Sequence, residues 1–268
     1  MAVKLVVQIV LARLLAPEEF GMLALMLVFV NIGNVIVQSG LNTALVQDPD
    51  VEDDDYSTVF WMSFVVSLIL YGVIFFSAPY IASFYAMPAL VDPLRVLGLI
   101  LLINAYNAVQ IGKLTRDLEM KKIFLGTIAA SVVSSVLGIG TAVAGMGVWA
   151  LAIQQLSYQF TNVVANAFQV DWHPRLVFHA NRAKKLFSFG WKLLVSGLLN
   201  SVSQSLSSLI IGKQFSGYQL GLVSQGEKYP AALGSMLDGV IQPVMLSTIA
   251  KVQSDISYAR RIMRRALK

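Results

Sequence analysis

Long uncharged apolar runs are the dominant feature of this sequence. From Ser57 to Tyr80, 24 consecutive residues include no Asp, Glu, Lys or Arg. A run of about 18 or more apolar residues is long enough to cross a bilayer as a helix. No single water-soluble core could bury all the apolar segments, which lie at residues 2–15, 20–46, 57–80, 96–112, 123–144, 147–170, 188–212 and 218–249. The sequence therefore predicts an all-α fold, a polytopic membrane helix bundle.

The composition argues against several other classes of protein. Charged residues make up 13% of the chain, about half the share of an ordinary soluble domain. There is no cysteine, which excludes disulfides and cysteine-based metal or redox sites. The zinc-protease motif HExxH, a phosphate-binding P-loop and a paired-carboxylate glycosyltransferase motif are all missing from the sequence. We therefore expect neither an enzyme nor a cofactor.

An acidic run directly precedes the third apolar segment. Asp53, Asp54 and Asp55 superficially resemble a metal-binding cluster, but they lie just before a predicted span. Acidic side chains at the N-terminus of a helix interact favourably with the helix dipole. We interpret this run as a solvated helix start rather than as a metal site.

The positions of the basic residues predict the orientation of the chain. Fourteen of the twenty Lys and Arg residues fall at 113–122, at 175–185 and in the tail 251–268, which share one side if each segment crosses once. Basic loops remain in the cytoplasm, so we expect both termini to be cytoplasmic. The tail could instead bind an anionic surface. We interpret it as a topology determinant and expect no nucleic-acid partner.

Polar residues within four of the segments repeat at helical spacing. Steps of three, four or seven residues place each set on one face of its helix. The sets are Asn31, Asn34, Gln38 and Asn42; Gln155, Gln159, Asn162, Asn166 and Gln169; Lys192, Ser196, Asn200, Ser203 and Ser207; and Ser224, Lys228, Ser235, Asp238 and Gln242. Such faces are costly against lipid. Each could form hydrogen bonds between helices, but four of them together favour a hydrated central cavity.

Ionisable residues inside the spans are candidate ligands for a substrate. Lys228 is the preferred cavity cation, because an ammonium in a membrane attracts an anion such as a phosphate. A structural ion pair is the alternative. Lys192 is a weaker candidate that could extend to the membrane surface instead. We predict no metal site, and the predicted cavity-lining, substrate-binding set is Lys228, Lys192, Asn31, Asn34, Gln38, Gln155, Asn162, Asn200 and Asp238.

Several short stretches resemble one family of membrane proteins. The segment Leu11–Gly21 reads LARLLAPEEFG and is similar to the ARLLxPEEFG signature of bacterial polysaccharide exporters. Further similar stretches follow in family order at residues 39–47, 57–61, 147–151, 188–192 and 221–224. The chain thus resembles the Wzx-type flippases of the multidrug/oligosaccharidyl-lipid/polysaccharide superfamily, most of all the colanic-acid-type exporters.

This resemblance implies a transporter that flips undecaprenyl-diphosphate-linked oligosaccharide repeats across the bacterial inner membrane for polysaccharide export. The implied partners are the lipid bilayer, the lipid-linked oligosaccharide and other polysaccharide-assembly proteins. Such transporters have two six-helix lobes, so we expect a fragment that holds one lobe and the first two helices of the other. The expected divisions are a first lobe at 1–170, a basic cytoplasmic linker at 171–187, the start of a second lobe at 188–249 and a basic cytoplasmic tail at 250–268.

Three alternatives remain open on the sequence alone. A cation-coupled drug antiporter of the same superfamily fits the motifs less well. A membrane-embedded polysaccharide-assembly enzyme, such as a polymerase, would be expected to have a large outside loop, whereas the longest outside connector, around residues 86–95, is short. The third alternative is a partner subunit that needs a second chain to complete its cavity.

Overall fold

The computed structural model of the protein describes residues 2–38, 41, 45, 51–228 and 230, and every regular element in that part is helical. A short 3-10 turn, Pro88–Leu90, precedes the fourth helix. The helices are α1 (Ala2–Leu14), α2 (Pro17–Gln38), α3 (Asp53–Phe84), α4 (Val91–Arg116), α5 (Met120–Val143), α6 (Val148–Ala167) and α7 (Ala180–Gln214), followed by α8, which includes residues 217–228.

Five segments of the described residues are long and apolar enough to cross a membrane. They are Pro17–Gln38, Asp53–Phe84, Pro88–Arg116, Met120–Val143 and Gly190–Gln214. The carboxamide-rich α6 is not among them, although the sequence predicts a span there; it packs between α4 and α5. The chain is a multi-pass membrane protein, and the predicted all-α membrane bundle is confirmed.

Two helices extend beyond the spans that the sequence predicts. Helix α3 begins at Asp53 rather than Ser57, and α7 begins at Ala180 rather than Ser188. The length of an apolar run reflects the thickness of the hydrocarbon layer. The helix itself can be longer, because it can continue into polar surroundings. Asp238 and the basic tail lie outside the described residues, and the division into lobes stays a prediction.

The core of the bundle lies where α2, α4 and α6 meet. Helices α5 and α6 pack along each other, α3 packs along α4, and α1 lies on α5. Leu25, Leu97 and Leu151 are almost fully buried within this core. Helix α7 packs mainly against α2, and only 6% of its apolar window is buried, against 50% for α2. Within the part of the chain that the structure describes, α2 is therefore a central helix and α7 an edge helix.

A tight glycine turn joins α5 to α6, as the sequence predicts. Gly145 has a φ of 75° and Gly147 a φ of 57°. This left-handed region is readily available to glycine and costly for most other residues. The turn lets α5 and α6 pack as an antiparallel pair.

The connector between α6 and α7 is anchored on the first turns of α3. The Arg175 N–H donates to Ser57 Oγ at 3.2 Å, and Arg182 Nε lies 3.5 Å from Asp55 Oδ1. Asp55 also accepts the Glu52 N–H at 3.1 Å, which caps the helix. The acidic run is therefore a helix start that binds a basic connector. No group of three potential metal ligands occurs within the described residues.

The α1–α2 turn and the α7–α8 turn have the same structure, 200 residues apart. In the first, the Ala16 N–H donates to Glu19 Oε2 at 2.8 Å. In the second, the Ser216 N–H donates to Gln219 Oε1 at 3.2 Å. Each bond uses a side chain to satisfy a backbone donor at a helix start. The chain therefore contains an internal repeat of this helix–turn–helix unit.

Helices α2 and α8 cross at equivalent glycines of this repeat. A Cβ on Gly21 would lie 2.0 Å from Gly217 O, and a Cβ on Gly221 would lie 1.7 Å from Pro17 O. The same offset of 200 relates Gly21 to Gly221 and Pro17 to Gly217, so the contact is reciprocal, as two-fold symmetry requires. Small residues allow helices to approach this closely in a membrane.

We expect Gly221→Ala to destabilise the protein, because the new Cβ would overlap the Pro17 carbonyl. Overpacking of this kind costs about 1–3 kcal/mol. Thermal unfolding in detergent, followed by tryptophan fluorescence, should shift to lower temperature. Gly226→Ala is the matched control, since it lies on the same helix and no neighbouring atom of the described residues lies within 4 Å of its Cβ position. Equal shifts in both variants would contradict this packing.

Candidate functional site

A polar cavity lies between α2, α4, α6, α7 and α8. Its volume is about 730 Å³, which is within the range of ligand-binding pockets. We call it the central cavity. Carboxamides and hydroxyls dominate its lining, whose polar residues are Asn31, Asn34, Gln38, Asn104, Gln159, Asn200, Ser201, Gln204, Ser205, Ser208, Ser224, Glu227 and Lys228.

Helix α2 presents its predicted polar face to the central cavity. Asn31, Asn34 and Gln38 all border it. Asn104 of α4 donates an Nδ2 hydrogen bond to Asn34 Oδ1 at 2.9 Å, which holds the Asn34 amide in place. Sequence reasoning missed Asn104, although its spacing of three residues from Asn107 indicates a polar face on α4 as well.

Helix α7 lines the central cavity with a face other than the predicted one. Its lining residues are Gly197, Asn200, Ser201, Gln204, Ser205 and Ser208. Asn200 belongs to this face and to the predicted stripe. Polar side chains occur around most of α7, so spacing could not select the face. The close approach of α7 to α2 determines the face instead, since a Cβ on Gly197 would lie 3.1 Å from Val35 Cγ1.

Helix α6 divides its carboxamides between the cavity and a buried network. Gln159 borders the central cavity, while Asn162 and Asn166 are buried against Asn107 of α4. Asn166 Nδ2 lies 2.9 Å from both Asn107 Oδ1 and Asn162 Oδ1. Asn162, which the sequence predicts in the cavity, is therefore part of an interhelical hydrogen-bond network, because α4 and α6 pack closely there.

A second, smaller cavity lies between α1, α2, α5, α6 and α8. Its volume is about 300 Å³, and we call it the side cavity. Gln155 of the predicted set borders it. Leu27, Gln159 and Lys228 border both cavities. The two cavities are therefore neighbours that share part of their walls.

Lys228 is the cation at the boundary between the two cavities. Its Nζ lies 5.5 Å from the centroid of the Phe20 ring, a cation–π distance. None of the carboxylates in the described part of the chain lies within ion-pair distance of it. Glu227 borders the central cavity but is exposed, and Lys192 is exposed and borders neither cavity. A half-buried ammonium that has no counter-charge among the described residues favours an anionic ligand.

The central cavity is closed at the end that carries the α1–α2 and α7–α8 turns. The crossing of Gly21 and Gly221 brings the backbones of α2 and α8 together there. Lys213 Nζ donates to Phe84 O at 2.7 Å, which ties the same end to α3. The lining continues away from this crossing to Gln38, the last residue of α2. The cavity therefore extends towards the opposite end of the bundle.

Cysteine accessibility can test this arrangement, because the chain has no native cysteine. Gln204→Cys should react readily with a small polar thiol reagent, since it borders the central cavity. Leu199→Cys on the apolar outer face and Asn162→Cys in the buried network should react much more slowly. Equal rates at positions 204 and 199 would contradict a hydrated cavity on this face of α7.

The sequence is similar to known membrane proteins of polysaccharide synthesis. It is 23% identical to the succinoglycan biosynthesis transport protein ExoT of Rhizobium meliloti over 246 residues, which cover 92% of this chain and 50% of ExoT. It is 25% identical to the teichuronic acid biosynthesis protein TuaB of Bacillus subtilis over 233 residues, 84% of this chain and 47% of TuaB. With the lipopolysaccharide biosynthesis protein WzxC of Escherichia coli it shares 21% identity over 262 residues, 96% of this chain and 52% of WzxC.

The chain spans about half the length of the curated relatives it matches. No solved structure matches it significantly. The family model of the polysaccharide biosynthesis proteins matches residues 10–268. Because this match covers almost the whole chain, the protein belongs to the polysaccharide biosynthesis protein family, that of the Wzx-type polysaccharide flippases.

Proposed function

We propose that this chain is part of a transporter that moves undecaprenyl-diphosphate-linked oligosaccharide repeats across the bacterial inner membrane. The observation that carries the proposal is Lys228, a cation without a counter-charge in the described residues, beside an amide-lined cavity in a membrane bundle. One relative, ExoT, is named as a transport protein for succinoglycan biosynthesis, which supports export. The proposal concerns the complete transporter, since the relatives are about twice as long.

The chemistry of the central cavity suits both parts of such a substrate. The ammonium group of Lys228 would attract the diphosphate through charge-assisted hydrogen bonds. Carboxamides both donate and accept hydrogen bonds, as sugar hydroxyls do. Asn31 and Gln38 on α2 and Asn200 and Gln204 on α7 present such groups along the same cavity. A head group bound at Lys228 would therefore meet amides on two helices.

We infer that the cavity is open towards the cytoplasm. Under the positive-inside rule, the α6–α7 connector is cytoplasmic, and it is anchored at the start of α3, beside the end of α2. The glycine crossing then lies at the periplasmic end. A lipid-linked sugar made in the cytoplasm would enter such a cavity from the side on which it is made.

A cation-coupled drug antiporter fits this cavity less well. A cationic drug needs carboxylates or aromatic rings to bind against. The described lining of the central cavity contains no aromatic residue, and its ionisable residues are Lys228 and the exposed Glu227. The positive charge of Lys228 disfavours a cationic substrate.

In the full-length protein, Lys228→Gln should lower glycan export about tenfold or more, which corresponds to the loss of a hydrogen bond to a charged group. Lys228→Arg should recover part of the export, because it restores the charge with a different shape. The measurement is polysaccharide at the cell surface, normalised to transporter abundance. Lys121→Gln, which removes an exposed cation at the start of α5, is the matched control and should export normally.

Two outcomes would contradict this role of Lys228. Normal export by Lys228→Gln would mean that the ammonium does not bind the substrate. Loss of the protein from the membrane in Lys228→Gln, with normal abundance for Lys228→Arg, would indicate a structural ion pair instead.

Single cysteines can also test the proposed orientation. Lys184→Cys lies at an exposed position near the start of α7, and Met146→Cys lies in the α5–α6 turn, where Met146 is 43% exposed. A thiol reagent that cannot cross the membrane should label position 146 from the periplasm of intact cells. Position 184 should react only after the cells are opened. The reverse pattern would overturn the cytoplasmic placement of the basic connectors.

A further inference from the structure

The side cavity has two chemically distinct walls. One wall is apolar and consists of Val7, Leu11, Phe20, Leu23, Leu27 and Leu151. The other carries carboxamides and hydroxyls from three helices: Gln8 of α1, Ser134 and Ser135 of α5, and Gln154, Gln155, Tyr158 and Gln159 of α6. A space of about 300 Å³ with such walls is at the small end of the range for ligand pockets.

The polar wall offers acceptors as well as donors. Ser134 Oγ donates to Ser131 O at 3.2 Å, so its hydroxyl proton is used within α5 and its lone pairs remain available. Gln8 Nε2 donates to Gln225 Oε1 at 2.6 Å, which joins α1 to α8 beside the cavity. The Nε2 of Gln225 is buried and has no hydrogen-bond partner in the described part of the chain. The surroundings of the cavity thus hold hydrogen-bonding groups of both kinds.

The charge of the lining restricts what the side cavity can bind. Among the lining residues that the structure describes, the one charged side chain is Lys228, at the boundary with the central cavity. A cationic group would lack a carboxylate there, and a bare alkyl chain would leave several carboxamides unsatisfied, at a cost of about 1–3 kcal/mol each. An uncharged group with many hydroxyls and an apolar face satisfies both walls. A sugar ring has this chemistry.

A glycine on α5 determines the shape of the polar wall. A Cβ on Gly138 would lie 2.9 Å from Cγ and 3.0 Å from Cβ of Gln154. Because Gly138 has no side chain, Gln154 can lie against the α5 backbone beside the cavity. Gly140, two residues further along the same helix, has no atom of the described residues within 4 Å of its Cβ position, apart from its own helix. A methyl group at 138 would therefore displace Gln154, and one at 140 would not.

We propose that the side cavity is a subsite for an uncharged sugar ring adjacent to the anion held at Lys228. This inference rests on the proposed function, because it takes the anion at Lys228 to be the diphosphate of a lipid-linked glycan. The geometry that supports it is the shared wall of Leu27, Gln159 and Lys228. A sugar bonded directly to the diphosphate can reach the side cavity while the remaining sugars occupy the larger central cavity.

Protection of single cysteines from labelling tests the subsite. Ser135→Cys reports on the side cavity and Ser201→Cys on the central cavity, each in a full-length protein without other cysteines, reconstituted in detergent micelles. The probes are undecaprenyl diphosphate alone and undecaprenyl diphosphate carrying one glucose or one N-acetylglucosamine. At a probe concentration about ten times its dissociation constant, an occluded cysteine should react with N-ethylmaleimide about tenfold more slowly.

The expected result is that both kinds of probe protect position 201 and that only a sugar-bearing probe protects position 135. Protection at 201 without sugar-dependent protection at 135 would overturn the subsite and leave the proposed function standing. Equal protection of 135 by the bare diphosphate lipid would also overturn it. If no probe protects 201, the proposed function and the subsite both fail.

Two variants separate a binding role from a merely structural one. Gly138→Ala and Gln155→Met should each reduce the sugar-dependent protection at 135 severalfold, the first by displacing Gln154 and the second by removing an amide. Protection of 201 by undecaprenyl diphosphate should persist in both, which shows that the protein is folded. Gly140→Ala is the matched control and should behave as the unmodified protein. Unchanged protection at 135 in both test variants would contradict the assignment.

Discussion

The close crossing of α2 and α8 is the contact on which the polar interior depends. At Gly21 and Gly221 each backbone occupies the space where the other helix would carry a Cβ. From that point α8 runs beside α2 and brings Ser224 and Lys228 to the cavity that Asn31 and Asn34 border. Two side chains at the crossing would force the helices apart and move Lys228 away from Phe20. The position of the Lys228 ammonium therefore depends on the absence of a Cβ at Gly21 and at Gly221.

Helix α6 shows how one amphipathic helix can serve stability and function along the same face. Towards its C-terminal end, Asn162 and Asn166 are tied to Asn107 in a buried network. Nearer its N-terminal end, Gln155 and Gln159 border cavities. In a membrane a buried amide is tolerated when it is hydrogen-bonded or faces water. The neighbouring side chain decides which of these applies: Asn107 of α4 binds Asn162 and Asn166, whereas Gln155 and Gln159 border open space.

The difference between buried and cavity-lining amides also explains how much of the site could be predicted from the sequence. The apolar runs predicted the membrane bundle. The spacing of Asn31, Asn34 and Gln38 predicted one polar face on α2, and this face borders the central cavity. On α7, serines occur on most sides, and the face is set by the approach of Val35 to Gly197, which no local pattern encodes. Asn162 has the spacing of a cavity-lining residue, but it is buried between α4 and α6, where it is hydrogen-bonded to Asn107 and Asn166. Periodicity gives the direction of a side chain and not the distance to the next helix.

The repeated turn at the closed end is symmetric in its backbone but not in its charge. The first copy carries one cation and two carboxylates, Arg13 with Glu18 and Glu19, so its local charge is negative. At the equivalent positions the second copy carries Lys213 with Tyr218 and Gln219, so its local charge is positive. The two copies therefore create an electric field across the crossing, and this field points from the positive second copy to the negative first copy. An anion close to the crossing would therefore be repelled by the first copy and attracted by the second.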